Sequence, residues 1–319
     1  MRPIRRVKLL ACGSSAHAGL VGRALIEEIA RVPATMEIAS EYRYGPALPE
    51  EALIVAITQS GETLDTLSAL KEAKRRGSST VAIANVVGSS ITREVDRTIY
   101  TRAGPEIGVA ASKTFTTQIV ALTLLALSIG RRSGEVSPER LRSFQRQLRR
   151  LPQVVQAVLD RHEAIEAVAA KYKDSASMYF IGRGVNFATA LEGSHKLKEI
   201  SYMHAEGYPA GELKHGANAL LSQDLPVVAV AVRDALYPKI LSNIGECSAR
   251  GSPVIGVGMD GDMELKGLCD DVILVPETDP VLSPVAITVA LQLMAYHIAD
   301  LRGCSIDRPR NLAKTVTVE

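Results

Sequence analysis

The chain has 319 residues, enough for about two ordinary domains, and 46 % are hydrophobic although only 4 % are aromatic and none is Trp. A formal net charge of +2 is too small to point to nucleic acid or a membrane surface as a partner. No continuous apolar run reaches the roughly 18 residues of a membrane span, and Met1-Arg-Pro-Ile-Arg-Arg-Val7 lacks the apolar stretch of a signal peptide.

With few aromatics, Ala, Val, Ile and Leu must fill the interior, as in parallel sheets covered by helices. The first element is a strand, Val7-Lys-Leu-Leu-Ala-Cys-Gly13, followed by a helix through Glu28-Ile29. Cys12 ends that strand and reads as a small core residue rather than a nucleophile. The four cysteines, Cys12, Cys247, Cys269 and Cys304, have neither metal-ligand nor disulfide spacing. Reduced thiols in a cytoplasmic protein are therefore expected.

The second strand, Leu53-Ile-Val-Ala-Ile57, leads into the most informative segment, Thr58-Gln-Ser-Gly-Glu-Thr63. A helical pattern follows, with Leu64, Leu67 and Leu70 on one face and Gly77 closing it. Backbone N–H groups at such a helix start form a ready anion site. Thr58, Gln59, Ser60 and Thr63 add neutral donors that suit the phosphate of a small ligand. Ser60 or Thr63 acting simply as a helix N-cap is the plainer alternative. A P-loop is excluded because no Gly-x-x-x-x-Gly-Lys-Ser/Thr is present. Gly13 and Gly182-Arg-Gly184 suggest a dinucleotide fold only weakly.

After a further strand, Thr80 to Ala84, Phe115 to Ile129 is apolar almost all round, as in a buried helix. Pro138 to Lys171 reads as an exposed helical connector that Pro152 breaks or restarts. The arginines at Arg131, Arg132, Arg140, Arg142, Arg146, Arg149 and Arg150 make a solvated face or a subunit contact.

The chain then repeats itself. Met178-Tyr-Phe-Ile-Gly-Arg-Gly184 and a helix through Glu199-Ile200 resemble the opening elements, and Val227 to Val230 and Pro253 to Gly258 supply the matching strands. Alternating strands and helices at an internal spacing of about 170 residues predict a duplicated α/β domain with parallel sheets. The expected limits are 1–140, a helical connector at 141–171, a second domain at 172–305 and a tail at 306–319. The second half has Ala231-Val-Arg-Asp-Ala235 in place of the hydroxyl loop, so only the first should hold phosphate. It offers Glu192, Lys196 and Glu199 on one helix face instead, a pattern that by itself reads first as a surface ion-pair stripe.

These residues resemble the sugar isomerase (SIS) family, as a tandem pair of flavodoxin-like, doubly wound domains. Gly104-Pro-Glu-Ile-Gly-Val-Ala110, Ser112-Lys-Thr-Phe-Thr-Thr-Gln118, Leu197-Lys-Glu-Ile-Ser201, His204-Ala-Glu206, Gly211-Glu-Leu-Lys-His-Gly216 and the ending Pro309 to Glu319 narrow it. Together they are similar to the isomerase portion of the glutamine–fructose-6-phosphate aminotransferases, or glucosamine-6-phosphate synthases, across essentially the whole chain. The resemblance implies that Thr58, Gln59, Ser60 and Thr63 bind the sugar phosphate, with Ser15 beside it. It implies Glu199 as the base moving a proton between C1 and C2, helped if burial raises its pKa. Lys314 would form a Schiff base at C2, and His215, contributed across a homodimer interface, would open the ring. Glu192 and Lys196 would support the site, while His195 and His204 read as structural.

The implied reaction joins fructose 6-phosphate and ammonia to give glucosamine 6-phosphate, with neither metal nor redox cofactor. A glutamine-hydrolysing domain is not expected within these residues, so glutamine should not serve as nitrogen source. Ala111 and Ala217-Asn218 depart from the family pattern and leave the exact sugar open. A deglycase, a plain phosphosugar isomerase and a non-catalytic sugar-phosphate sensor remain alternatives.

Overall fold

A computed structural model describes residues 4–46 and 51–315. The chain divides into two compact units. Of the described residues, the first holds those up to Ile107, Ala111–Gln145 and 313–315; the second holds Gly108–Ala110 and Arg146–Leu312.

In the first unit the order is β1 (Val7–Ala11), α1 (Gly13–Leu25), β2 (Ala34–Ile38), α2 (Ala39–Tyr42), β3 (Leu53–Ile57), α3 (Leu64–Arg75), β4 (Ser79–Ala84), α4 (Ser90–Glu94), β5 (Arg97–Tyr100) and α5 (Lys113–Ser133). A π-helical turn, Ile26–Ala30, extends α1 through the expected Glu28-Ile29. The five strands are parallel in the order β2-β1-β3-β4-β5. Leu10, Ile54, Ala56, Ala82 and Ala84 pack on one face with Ala69, Leu70 and Ala73 of α3. Alternation along a strand sends Leu9, Val55 and Ile57 to the other face, where they are also fully buried. Burial on both faces explains why the central strands read as continuous apolar runs.

The connecting helix α6 (Pro138–Leu159) runs unbroken through Pro152. This corrects the expected break: proline removes one N–H and strains one turn, but Leu151, Val154 and Val158 are buried around it and hold the helix together. The interruption comes later, at Asp160-Arg161, before α7 (His162–Tyr172).

The second unit continues with β6 (Ser177–Gly182), α8 (Val185–Ser201), β7 (His204–Pro209), β8 (Val227–Val230), α9 (Tyr237–Ser248), β9 (Val254–Met259), α10 (Met263–Leu268), β10 (Asp271–Val275) and α11 (Ser283–Leu301). Its sheet order is β10-β9-β8-β6-β7, all parallel. Read from the other edge, this is the strand order of the first unit, so the expected duplication and doubly wound α/β fold are present. Met178, Phe180, Val228 and Val230 face a core shared with α7, α8 and α11. Tyr179, Ile181, Val227 and Ala229 face a second core against α9.

Both α5 and α11 are long and apolar enough to cross a membrane by length and composition alone. Most of the apolar window is nevertheless buried in the protein, 61 % for α5 and 72 % for α11.

Candidate active site

In an open parallel sheet, ligands bind beyond the carboxyl ends of the strands, where the order reverses. In the first unit this point lies between β1 and β3, where the Thr58–Thr63 loop follows Ile57. Thr63 stands at the N-cap position of α3 in extended conformation, yet its side chain makes no capping hydrogen bond. Its Oγ1 instead lies 3.4 Å from Thr58 Oγ1. Thr58 Oγ1 also accepts from Gly61 N at 3.2 Å, and Ser60 Oγ accepts from Glu62 N at 3.1 Å. Neither Ser60 nor Thr63 is therefore spent as a side-chain cap on the helix proper.

Gly61 turns the loop with φ of 71°, and a Cβ there would fall 2.0 Å from Ser89 Oγ. The loop's acid points elsewhere: Glu62 Oε1 accepts from Ser90 N at 2.8 Å, at the start of α4. Glu62 thus leaves the loop hydroxyls and the first N–H groups of α3 without its carboxylate beside them, an arrangement that suits an anion. Ser15, in the first turn of α1, accepts at Oγ from Gln118 Nε2 at 3.0 Å. Cys12 packs beside the core below; burial pushes its thiol pKa up, against a nucleophilic role.

Gln59 and Ser60 line a cleft of about 610 Å³ together with Asn85, Arg102, Glu106 and Lys314. Asn85 builds one wall. Its Oδ1 accepts from Thr101 Oγ1 at 3.0 Å and Ala103 N at 2.9 Å, while Nδ2 donates to Gly104 O at 2.8 Å. Lys314 Nζ lies 3.3 Å from Glu106 Oε2. Glu106 also receives Ser112 N at 2.8 Å, Ser112 Oγ at 3.1 Å, Thr114 N at 3.3 Å and the Thr114 hydroxyl.

Glu106 thereby does for α5 what Ser112, at the N-cap position, does not. Its side chain is 2 % exposed. Burial works to raise its pKa, but the Thr114 hydroxyl, the Ser112 N–H and the Lys314 ammonium outweigh this and keep it lowered. Glu106 was not singled out from the sequence. It lies before the N-cap of α5, whereas a capping-box acid lies three residues after it, so only its place inside Gly104-Pro-Glu106 marks it.

In the second unit, α8 gathers an acid–base cluster. Lys196 Nζ lies 3.4 Å from Glu192 Oε1 and bonds Glu199 Oε2, while His195 Nε2 lies 3.3 Å from Glu199 Oε1. This corrects the surface-stripe reading: Glu192 and Lys196 are 0 % and 3 % exposed. Burial alone would lower the pKa of Lys196, but Glu192 and Glu199 hold it raised. Glu199 departs from expectation as well. Burial raises its pKa, yet the His195 hydrogen bond and the Lys196 charge bring it down to about 2. His195 is thus a member of the cluster that residue type alone did not reveal.

His215 closes a 3₁₀ segment, Ala210–His215, and is exposed. It joins none of the α8 ion pairs among the described residues. The strand-end loop of this unit satisfies itself: Asp262 pairs with Arg233 at 2.9 Å, accepts from the Tyr237 hydroxyl and caps α10 through Leu265 N at 3.1 Å.

The sequence pattern of the SIS domain matches residues 1–128 and 171–301, the stretches that form the two sheets. The chain belongs to the SIS domain family. It is 50 % identical over 319 residues to a glutamine–fructose-6-phosphate aminotransferase (isomerizing) of Thermus thermophilus, covering 100 % of this chain and 53 % of the relative. A second, from Methanosarcina acetivorans, is 52 % identical over 320 residues, with 100 % and 52 % covered. The SIS chain thus spans about half the length of the curated relatives it matches. Its structure resembles the C-terminal domain of glucosamine-fructose-6-phosphate aminotransferase from Francisella tularensis, with a TM-score of 0.92, 38 % identity, and 96 % and 87 % of the two chains covered. A glucosamine-6-phosphate deaminase from Thermotoga maritima gives a TM-score of 0.81 at 25 % identity, with 98 % and 91 % covered.

Proposed function

We propose that this chain is the sugar-converting half of a glucosamine-6-phosphate synthase, which makes glucosamine 6-phosphate from fructose 6-phosphate and ammonia. The observation that carries this is the shared cleft: loop residues Gln59 and Ser60 line the same cavity as Lys314. A phosphate held at one end and an amine at the other suit a ketose phosphate. The likeness to the isomerase half of the aminotransferases supports the same reading.

The residues then divide the work. Thr58, Gln59, Ser60 and Thr63 hold the phosphate, with Ser15 nearby. His215, contributed by a second copy in a homodimer, assists ring opening. The Lys314 amine attacks C2 of the open ketose and loses water to form an imine; ammonia then displaces the lysine. Glu199 removes a proton from C1 and returns it to C2 while the O1 hydroxyl proton passes to the nitrogen, leaving an aldehyde at C1 and an amine at C2. Held by His195 and Lys196, Glu199 is a weak base, so substrate must displace one of these contacts to raise its basicity. Glu192 keeps Lys196 in place. Four cysteines without a disulfide among them, and apolar helices buried mostly within the α/β units, favour a cytoplasmic setting.

The test is to incubate the purified chain with fructose 6-phosphate, with and without ammonium, and identify the products. Glucosamine 6-phosphate formed only with ammonium supports the reading. Glucose 6-phosphate alone makes the chain an isomerase, and bound sugar without turnover makes it a sensor. The likeness to the Thermotoga maritima deaminase favours one further assay. Release of ammonia from glucosamine 6-phosphate, faster than its synthesis at matched substrate levels, would assign the opposite physiological direction.

A further inference from the structure

A second cluster of potential ligands lies on the helical face of the second unit. His162 and Glu166 sit four residues apart on α7, hence on one face of that helix. His297 of α11 packs against them, 6 % exposed. The imidazole rings of His162 and His297 stack with centroids 6.1 Å apart and planes 17° apart. One nitrogen from each ring and one Glu166 oxygen lie within 4.8 Å of one another.

His297 is poorly satisfied where it stands. Its Nδ1 is 3.8 Å from Glu166 Oε2, too far for a hydrogen bond, and its buried Nε2 has no partner. Nδ1 thus faces Glu166 without bonding it, and a neutral imidazole nitrogen in that position is a ready metal ligand.

We propose that His162, Glu166 and His297 form a divalent transition-metal site, of the zinc class, that pins α7 to α11. Two imidazoles and one carboxylate suit such an ion, with water completing a tetrahedron. Tetrahedral ligands at about 2.1 Å from zinc stand roughly 3.4 Å apart. Rotation of the exposed His162 and the part-exposed Glu166 closes the remaining gap, while His297 stays fixed in the core. The site lies outside the residues assigned to sugar conversion, so it stands whether or not that assignment holds.

The experiment is a titration of the untagged chain, stripped with a chelator, with Zn²⁺ by calorimetry and with Co²⁺ by absorption. One saturable equivalent is expected, together with a rise in melting temperature on adding Zn²⁺. His162→Ala and Glu166→Gln, at an exposed and a part-exposed position of α7, should each weaken binding by about tenfold or more and remove the rise in melting temperature. Circular dichroism of the two variants checks that they remain folded. Absence of saturable binding overturns the proposal. Binding unchanged in both folded variants, or a sulfur-to-cobalt absorption band that marks the cysteines as the ligands, overturns it equally.

Discussion

Glu106 and Lys314 meet across 208 positions of sequence, Oε2 to Nζ at 3.3 Å, on the wall of the cleft lined by Gln59 and Ser60. Because four donors from Ser112 and Thr114 fix the carboxylate, the contact locates the lysine as well as balancing its charge. Glu106→Gln keeps an acceptor for α5 but removes the negative charge facing Lys314. Synthesis of glucosamine 6-phosphate should fall by about 10- to 100-fold, the usual consequence of a displaced reacting group. Fructose 6-phosphate binding, measured by calorimetry, should change little because the proposed phosphate-binding loop is untouched. Unaltered turnover in Glu106→Gln would deny it a positioning role.

The depressed pKa of Glu199 has a thermodynamic consequence. A carboxyl moved from its ordinary 4.5 to about 2 on folding adds stability that is present above the higher value. That stability is lost as pH falls from about 4.5 through about 2, and it amounts to on the order of 3 kcal/mol. Urea midpoints measured across this range should drop for the wild type. In Glu199→Gln the drop should be shallower, with a lower starting value near neutrality because Lys196 loses one carboxylate. Parallel acid limbs for the two proteins would mean that Glu199 titrates normally.

Gly61 tests the loop's geometry. Alanine there must adopt φ of 71° and place Cβ 2.0 Å from Ser89 Oγ, so the loop must shift. A loss of about 1–3 kcal/mol in unfolding free energy is expected from the strained conformation, with weaker binding of fructose 6-phosphate. Because α4 begins at Ser90, the shift should also loosen the Glu62–Ser90 contact. An alanine variant of wild-type stability and affinity would show that the turn is not held as described.

What the sequence disclosed follows burial. The central strands β1, β3, β4, β6, β8 and β9 were readable because both faces are covered and nearly every residue is apolar. The strands it did not disclose, β2, β5, β7 and β10, are the edges of the two sheets. Arg97-Thr-Ile-Tyr100 and His204 to Pro209 carry polar residues because an edge strand is partly solvated. The same logic holds for the site. The Thr58–Thr63 hydroxyls stand out because they are local to one loop. Glu106 meets Lys314 only through the fold, and the burial of Lys196 between Glu192 and Glu199 depends on α11 and β7 covering α8. Helical spacing places charges on one face without saying whether that face is wet.

Thr63 separates binding from folding most cleanly. It occupies the N-cap position of α3, where loss of a capping hydroxyl usually costs about 1 kcal/mol. Here the side chain caps nothing and instead lies 3.4 Å from Thr58 Oγ1. Thr63→Val preserves shape and removes only the hydroxyl, so stability should stay within about 0.5 kcal/mol of wild type. If that hydroxyl donates to the sugar phosphate, affinity for fructose 6-phosphate should weaken by about tenfold, or about 1.4 kcal/mol. Inorganic phosphate should lose affinity in the same proportion, since the contact is to phosphate and not to the sugar. A stable Thr63→Val variant that binds both ligands as tightly as wild type would place the phosphate elsewhere in the cleft, on Gln59, Ser60 and the backbone alone.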